Sequence, residues 1–154
     1  MGRWKKDFYK LTNPSKYIGD PNKIIYRSSW EEEAFKICDN NPNVLEWGSE
    51  IIKIPYFVPS SKHMGNATTK IYIPDLYVVT QDGGGNIAKK LIEIKPYKQT
   101  QKPRSRKPTT RLYEERTYII NQLKWQAARS WCESRNIEFV ITTERELFGN
   151  RTKR

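Results

Sequence analysis

The stretch "IPDLYVVTQDGGGNIAKKLIEIK" (residues 73–95) sets two apolar runs either side of a glycine-rich centre. Such runs read as strands, and "QDGGGN" (81–86) between them as the turn of a β-hairpin. The second run places Glu93 between Ile92 and Ile94. A carboxylate there falls in a strand with both faces at least partly buried, which is costly unless something compensates it. Centring the turn on Gly84 puts residues equidistant from it opposite one another, and so sets Asp75 against Glu93. Cross-strand partners stand about 5 Å apart at Cβ. Two facing acids repel, so either a divalent cation lies between them or one is protonated. Lys95, two residues beyond Glu93, shares its face. Pro74 introduces irregularity into the first strand.

Outward from the hairpin, "SSWEEEAFKICDN" (28–40) reads as a helix capped by Ser28 or Ser29, with glutamates in its first turn where the dipole favours them. At about 100° per residue, Glu31 falls inside the arc of Ala34, Phe35 and Cys38, whereas Glu32 and Glu33 fall outside it. Glu31 therefore either points toward the sheet or sits at its rim paired with a lysine. Strands are expected at Glu50–Phe57, Lys70–Val79 and Lys89–Lys95. A long amphipathic helix is expected over 111–134, with Leu112, Ile119, Ile120, Leu123, Ala127 and Trp131 on its stripe. "IEFVIT" (137–142) reads as a last strand and "TERELF" (143–148) as a short closing helix. The order is αβββαβ, an α/β fold with one mixed central sheet flanked by helices. Residues 1–25 read as an extended basic arm with little regular structure, 26–148 as the folded domain, and 149–154 as a basic tail.

The chain has 154 residues and a net charge of +11, with five Trp and nine Tyr. That size suffices for a real core under a polar surface. The stretch "KPYKQTQKPRSRKPTTR" (95–111) holds seven Lys or Arg and no acid. It cannot pack a core and reads as a surface loop; clustered charge of this kind favours a polyanionic partner over a merely solubilising face. Lys98, Lys102, Arg104, Arg106, Lys107 and Arg111 are the expected DNA-contacting residues. Cys38 and Cys132 read as free buried thiols, and one histidine, His63, does not make a zinc site. No membrane-length apolar run or signal-like start is present, so a protein made in the cytoplasm, without membrane contact or a small-molecule substrate, is expected.

Glu31, Asp75 and Glu93 are thus candidates to converge with Lys95. Hard oxygen ligands without His or Cys suit Mg²⁺, with Mn²⁺ as the alternative. Such an ion polarises a phosphoryl oxygen and acidifies water, and a neighbouring lysine orients that water or offsets developing charge. Beside a basic surface, that chemistry is phosphodiester hydrolysis.

"IPD" (73–75) followed by "EIK" (93–95) in this order of elements resembles the PD-(D/E)xK nuclease superfamily, a restriction-endonuclease-like fold. "SSWE" (28–31) and "NPNVLEWGSE" (41–50) resemble its branch of transposon-encoded endonuclease subunits. Closer still, "YRSSWE", "EIKPYKQT" and the Lys124-Trp125, Ala127-Ala128 and Trp131-Cys132 pairs resemble the head completion nucleases of contractile-tailed phages, over about Tyr26 to Leu147. The resemblance implies a metal held by Asp75, Glu93 and the Ile94 backbone carbonyl, with Glu31 completing the acidic cluster and Lys95 assisting the attacking water. It implies Mg²⁺-dependent cleavage of double-stranded DNA after genome packaging, in the head–tail neck of a virion, against portal or neck proteins. The alternative is a structural neck protein that keeps the fold and binds DNA by charge alone. Leu76 departs from the pattern, standing where an aromatic often follows the Asp.

Overall fold

The computed structural model describes residues 4–62 and 64–148; residues 1–3, His63 and the basic tail lie outside the described residues. Its elements are β1 (Trp4–Phe8), β2 (Ile25–Ser28), α1 (Ser29–Asn40), β3 (Val44–Ser49), β4 (Ile54–Val58), β5 (Thr68–Tyr72), β6 (Leu76–Gln81), β7 (Ile87–Ile94), α2 (Tyr97–Thr100), α3 (Pro108–Glu133), β8 (Glu138–Thr142) and α4 (Glu144–Phe148). The main sheet runs β3-β6-β7-β8, antiparallel except where β8 lies parallel to β7. This is the expected αβββαβ order around a mixed sheet.

The β6–β7 hairpin has the register that centring on Gly84 predicts, from Leu76 opposite Ile92 to Gln81 opposite Ile87. Its loop closes on the Asp82 carboxylate, which accepts from the Gly84 and Asn86 N–H groups at 2.8 and 2.9 Å. Gly85 supplies the positive φ of 84° that a side chain would resist.

Two strand boundaries differ from the sequence reading. The edge strand of the main sheet is Val44–Ser49, in place of the expected Glu50–Phe57. The chain leaves it through Glu50, a non-glycine residue at φ 54°. The following Ile54–Val58 pairs instead with Thr68–Tyr72 as a separate two-stranded sheet. The expected strand Lys70–Val79 is likewise two strands, broken at Ile73–Asp75. Pro74 has no N–H to continue a ladder, and its side chain is fully buried at the joint. The long helix begins three residues earlier than expected, with Pro108 at its first position.

Alternation along the strands divides the core between two faces. Leu76 and Val78 face a cluster built by α1 and the N-terminal segment, including Phe35, Trp47, Tyr9 and Ile24. Leu91 faces the other cluster, where Trp125, Ala128 and Cys132 of α3 meet Ile54, Tyr56, Val58 and Tyr72 of the β4–β5 hairpin. Cys38 and Cys132 are both free and buried, and burial pushes their thiols up to about 12 and about 11. Of the expected α3 stripe, Ile120, Leu123, Ala127 and Trp131 pack partly into this cluster, but Leu112 and Ile119 are exposed. The helix is about 39 Å long at 1.5 Å per residue, and its first three turns extend past the sheet.

The N-terminal segment carries more structure than its composition suggests. β1 pairs with β2, and Tyr9 and Ile24 are buried. Asp39, 0 % exposed, is the fastening point. Its carboxylate accepts from the Tyr9 hydroxyl (2.8 Å) and the Thr12 and Asn13 N–H groups (2.7 and 2.9 Å). Lys16 then donates to the carbonyls of Asp39 and Asn41 at the end of α1 (3.0 and 2.8 Å), where the helix dipole favours a cation. Among the described residues, no helix is long and apolar enough to cross a membrane.

Candidate active site

Asp75 follows the buried Pro74, one residue before β6, and extends the hairpin register by one pair to meet Glu93. The backbone holds it from two sides. The Ile94 N–H donates to its carboxylate at 2.7 Å, and the Glu50 N–H donates to its carbonyl at 3.1 Å. The Glu50 side chain, in turn, accepts from the Arg27 guanidinium. The strained Glu50 backbone thus serves to aim Asp75.

Glu93 is 7 % exposed and lies on the α3 side of β7, with Leu91. Its carboxylate accepts a short hydrogen bond from the Tyr72 hydroxyl of β5. The Asp75 and Glu93 carboxyls come within hydrogen-bonding reach. Burial first, and then the Glu93 charge, raise the Asp75 carboxyl well above the usual carboxylate range; the Ile94 N–H acts the other way, and Glu31 adds to the rise. Burial and then the adjacent Glu93 also lift the Tyr72 phenol well above its ordinary value.

Glu31 approaches from the opposite layer. The Ser28 hydroxyl caps α1 by accepting from the Glu31 N–H and donating to the Glu31 carboxylate, both at 3.2 Å. The carboxyl is raised by burial, with Ser28 opposing. It is near enough to act on Asp75, but no three His, Cys, Asp or Glu side chains among the described residues form a ready metal cluster. Two of the three expected acids are therefore in contact, and the third stands off across the end of the sheet. Lys95 is anchored by its own N–H to the Thr142 carbonyl of β8 at 2.9 Å.

Three groups escaped the sequence reading. Tyr72 reaches the site only because β5 belongs to a separate hairpin docked on α3. Trp125 of α3 has a buried indole N–H that completes no hydrogen bond of good geometry and faces the Tyr72 hydroxyl. Lys124, beside it, holds its ammonium 5.7 Å from the Tyr72 ring centroid. Burial and then Lys95 lower the Lys124 pKa, against the pull of Glu93. The available signal was positional: Lys124 lies one turn from the buried Asn121 and Ala128, inside the packed arc of α3.

The basic segment lies beyond this end of the sheet. Lys98, Lys102, Arg104, Arg106, Lys107 and Arg111 are all exposed, so the structure keeps them at the surface without bringing them into the carboxylate pair. Arg111 is engaged with Glu115 at 2.9 Å. α2 is tied back by Glu144, which accepts from the Tyr97 N–H at 3.1 Å, and by Arg145 stacked 3.4 Å over the Tyr97 ring. An open groove of about 410 Å³ separates this segment from α3, lined by Lys98, Gln101, Pro103, Tyr113 and Asn121.

A pair of opposed acids and a lysine at one end of an αβββαβ sheet is an arrangement suited to divalent-metal phosphodiester chemistry. The family model for the TnsA-like endonuclease N-terminal domain matches residues 41–144, and the chain belongs to that family. The match takes in Asp75, Glu93, Lys95 and Lys124 but begins after Glu31. The chain is also similar to the head completion nuclease of Enterobacteria phage T4, 40% identical over 138 residues that cover 86% of each protein.

Proposed function

We propose that this protein is a metal-dependent DNA endonuclease acting in phage head completion. The observation that carries the reading is the contact of half-buried Asp75 with buried Glu93, with Lys95 on the same strand face. Two acids forced together away from water make sense as ligands waiting for a cation. The donor set fits Mg²⁺ or Mn²⁺: hard oxygens only, with no His or Cys beside them. Asp75 accepts from the Ile94 N–H through one oxygen and meets the Glu93 carboxyl as well. In a strand, a residue's N–H and C=O point to the same side, so the Ile94 carbonyl faces the Asp75 side and would complete the set, with Glu31 as the third acid near Asp75. A bound ion would supply Lewis acidity toward a phosphoryl oxygen and toward water.

The chain's own residues do the rest. Tyr72 and Ile94 fix the two carboxylates before substrate arrives. Lys95 orients the attacking water and offsets charge on the phosphate. Lys98, Lys102, Arg104, Arg106, Lys107 and Arg111 hold the flanking backbone of double-stranded DNA. The relative's name supports a place in head completion, hence in the neck of the virion beside portal or neck proteins.

The test is supercoiled plasmid incubated with Mg²⁺ or Mn²⁺. Wild type should nick it, and Glu93→Gln and Lys95→Ala should lose at least about 10²-fold in rate, as removal of electrostatic groups does elsewhere. Equal nicking by all three would refute the assigned catalytic site, and no nicking by wild type would leave a DNA-binding structural protein.

A further inference from the structure

Lys70, Lys95 and Lys124 arise from three separate elements; Lys95 and Lys124 lie beside the carboxylate pair, and Lys70 lies close enough to act on Lys124. Lys70 lies two residues before Tyr72 on β5, opposite Tyr56, and both tyrosines face the α3 side. Lys95 shares the Glu93 face, and Lys124 projects from α3 over the Tyr72 ring. Among the described residues, none of the three lysines makes a salt bridge or donates a side-chain hydrogen bond. The two carboxyls are already occupied, by Tyr72, by Ile94 and by each other. Burial, then Lys95 and Lys70, lower the Lys124 pKa, while Glu93 and Asp75 pull it up. Cations that repel one another, with no salt bridge or side-chain hydrogen bond among the described residues, are held there by the fold, with donors to spare. An anion placed among them relieves the repulsion and fills those donors.

We propose that Lys124 and Lys70 form a phosphate-binding subsite beside the Asp75–Glu93 pair, which takes a backbone phosphate of the DNA strand being cut. This rests on the nuclease reading for its substrate class. Lys95 belongs to the reacting centre; Lys124 sets the strand against it from the α3 side, and Lys70 from the β4–β5 hairpin. The hairpin, added between β3 and β6, thereby becomes part of the substrate surface.

The test uses the full chain and a 30-base-pair duplex in EDTA, with affinity read by fluorescence anisotropy across salt. Each phosphate contact contributes about −0.9 to the slope of log K against log salt. Lys124→Gln and Lys70→Gln should each flatten the slope by about 0.9, so that between 50 and 200 mM salt each loses about 3.5-fold less affinity than wild type. Lys124→Arg should restore it, and Lys36→Gln, on the exposed face of α1, should leave it unchanged. In plasmid nicking with Mg²⁺, Lys124→Gln should fall at least about tenfold. Lys70 is exposed, so Lys70→Gln keeps the test decisive even where Lys124→Gln folds poorly. Wild-type slopes in a folded Lys70→Gln, or in both variants, overturn the subsite whether or not the protein cuts DNA. Flattened slopes with no cleavage by wild type sustain the subsite and sink the nuclease reading alone.

Discussion

Glu93→Gln should make the metal-free protein more stable while abolishing its activity. At about 5 Å between cross-strand Cβ atoms and an effective dielectric of about 20, two ionised carboxylates repel by about 3 kcal/mol. The Tyr72 and Ile94 donors relieve part of this, leaving about 1–2 kcal/mol for the substitution to recover. The substituted amide keeps a carbonyl oxygen for the Tyr72 hydroxyl, so packing is preserved. For a chain of this size that is a rise in Tm of about 2–8 °C. The gain should depend on pH. Asp75 is raised in the folded state, so its contribution is fully present below its unfolded value of about 3.9 and is lost as pH rises through the folded value. Wild type in EDTA should therefore be less stable at pH 8 than at pH 4, and Glu93→Gln should show a smaller difference. Thermal melts at the two pH values, with and without Mg²⁺, provide the readout, and Mg²⁺ should raise Tm only for wild type. A Glu93→Gln protein less stable than wild type at pH 8 in EDTA would refute the claim that the carboxylate pair is strained.

Tyr72→Phe keeps the buried ring but removes the donor to Glu93; metal affinity, measured by Mn²⁺ titration, and nicking rate should both fall about 10–100-fold. Unchanged affinity would reduce Tyr72 to packing. Asp39→Ala strips three hydrogen bonds and leaves the Thr12 and Asn13 N–H groups unpaired, at a cost of about 3 kcal/mol in urea unfolding. Burial raises the Asp39 pKa, but the Thr12, Tyr9 and Asn13 donors outweigh it and leave the group depressed. Its contribution is therefore present above about pH 3.9 and lost as pH falls through the lower folded value; Asp39→Ala should abolish that acid-side loss. Gly48→Ala would place a Cβ 2.6 Å from Ile51 Cδ1 and 2.8 Å from the Ile18 carbonyl, so a loss of about 1–3 kcal/mol is expected, visible as a lower urea midpoint.

The hairpin and its acid pair were legible because their signals are local: a glycine-rich turn fixes register, and register fixes which carboxylates meet. The edge strand Val44–Ser49 was not. Its Gly48 and the asparagine-rich lead-in read as turn chemistry, and it is tertiary packing that puts Trp47 at the centre of a core. Pro74 announced irregularity, yet period-2 patterning does not tell a kinked strand from two strands in different sheets. Tyr72, Trp125 and Lys124 stayed hidden for the same reason: nothing in the sequence states which face of α3 receives the β4–β5 hairpin. Asp39, an acid ending a helix, reads as solvated until the N-terminal segment folds over it.

The docking of that hairpin has a consequence for the order in which the protein becomes competent. Asp75, Glu93 and Lys95 all precede α3 in the chain and so leave the ribosome ahead of it, since α3 begins at Pro108 and Lys124 lies deep within it. A two-stranded hairpin alone is marginally stable in water, and β4–β5 shares its apolar cluster with Trp125, Ala128 and Cys132 of α3. Until that helix emerges, Tyr72 has nothing to hold it against Glu93, and the carboxylate pair stays open to water. A growing chain therefore carries the acids of its site for dozens of residues before the site closes around them.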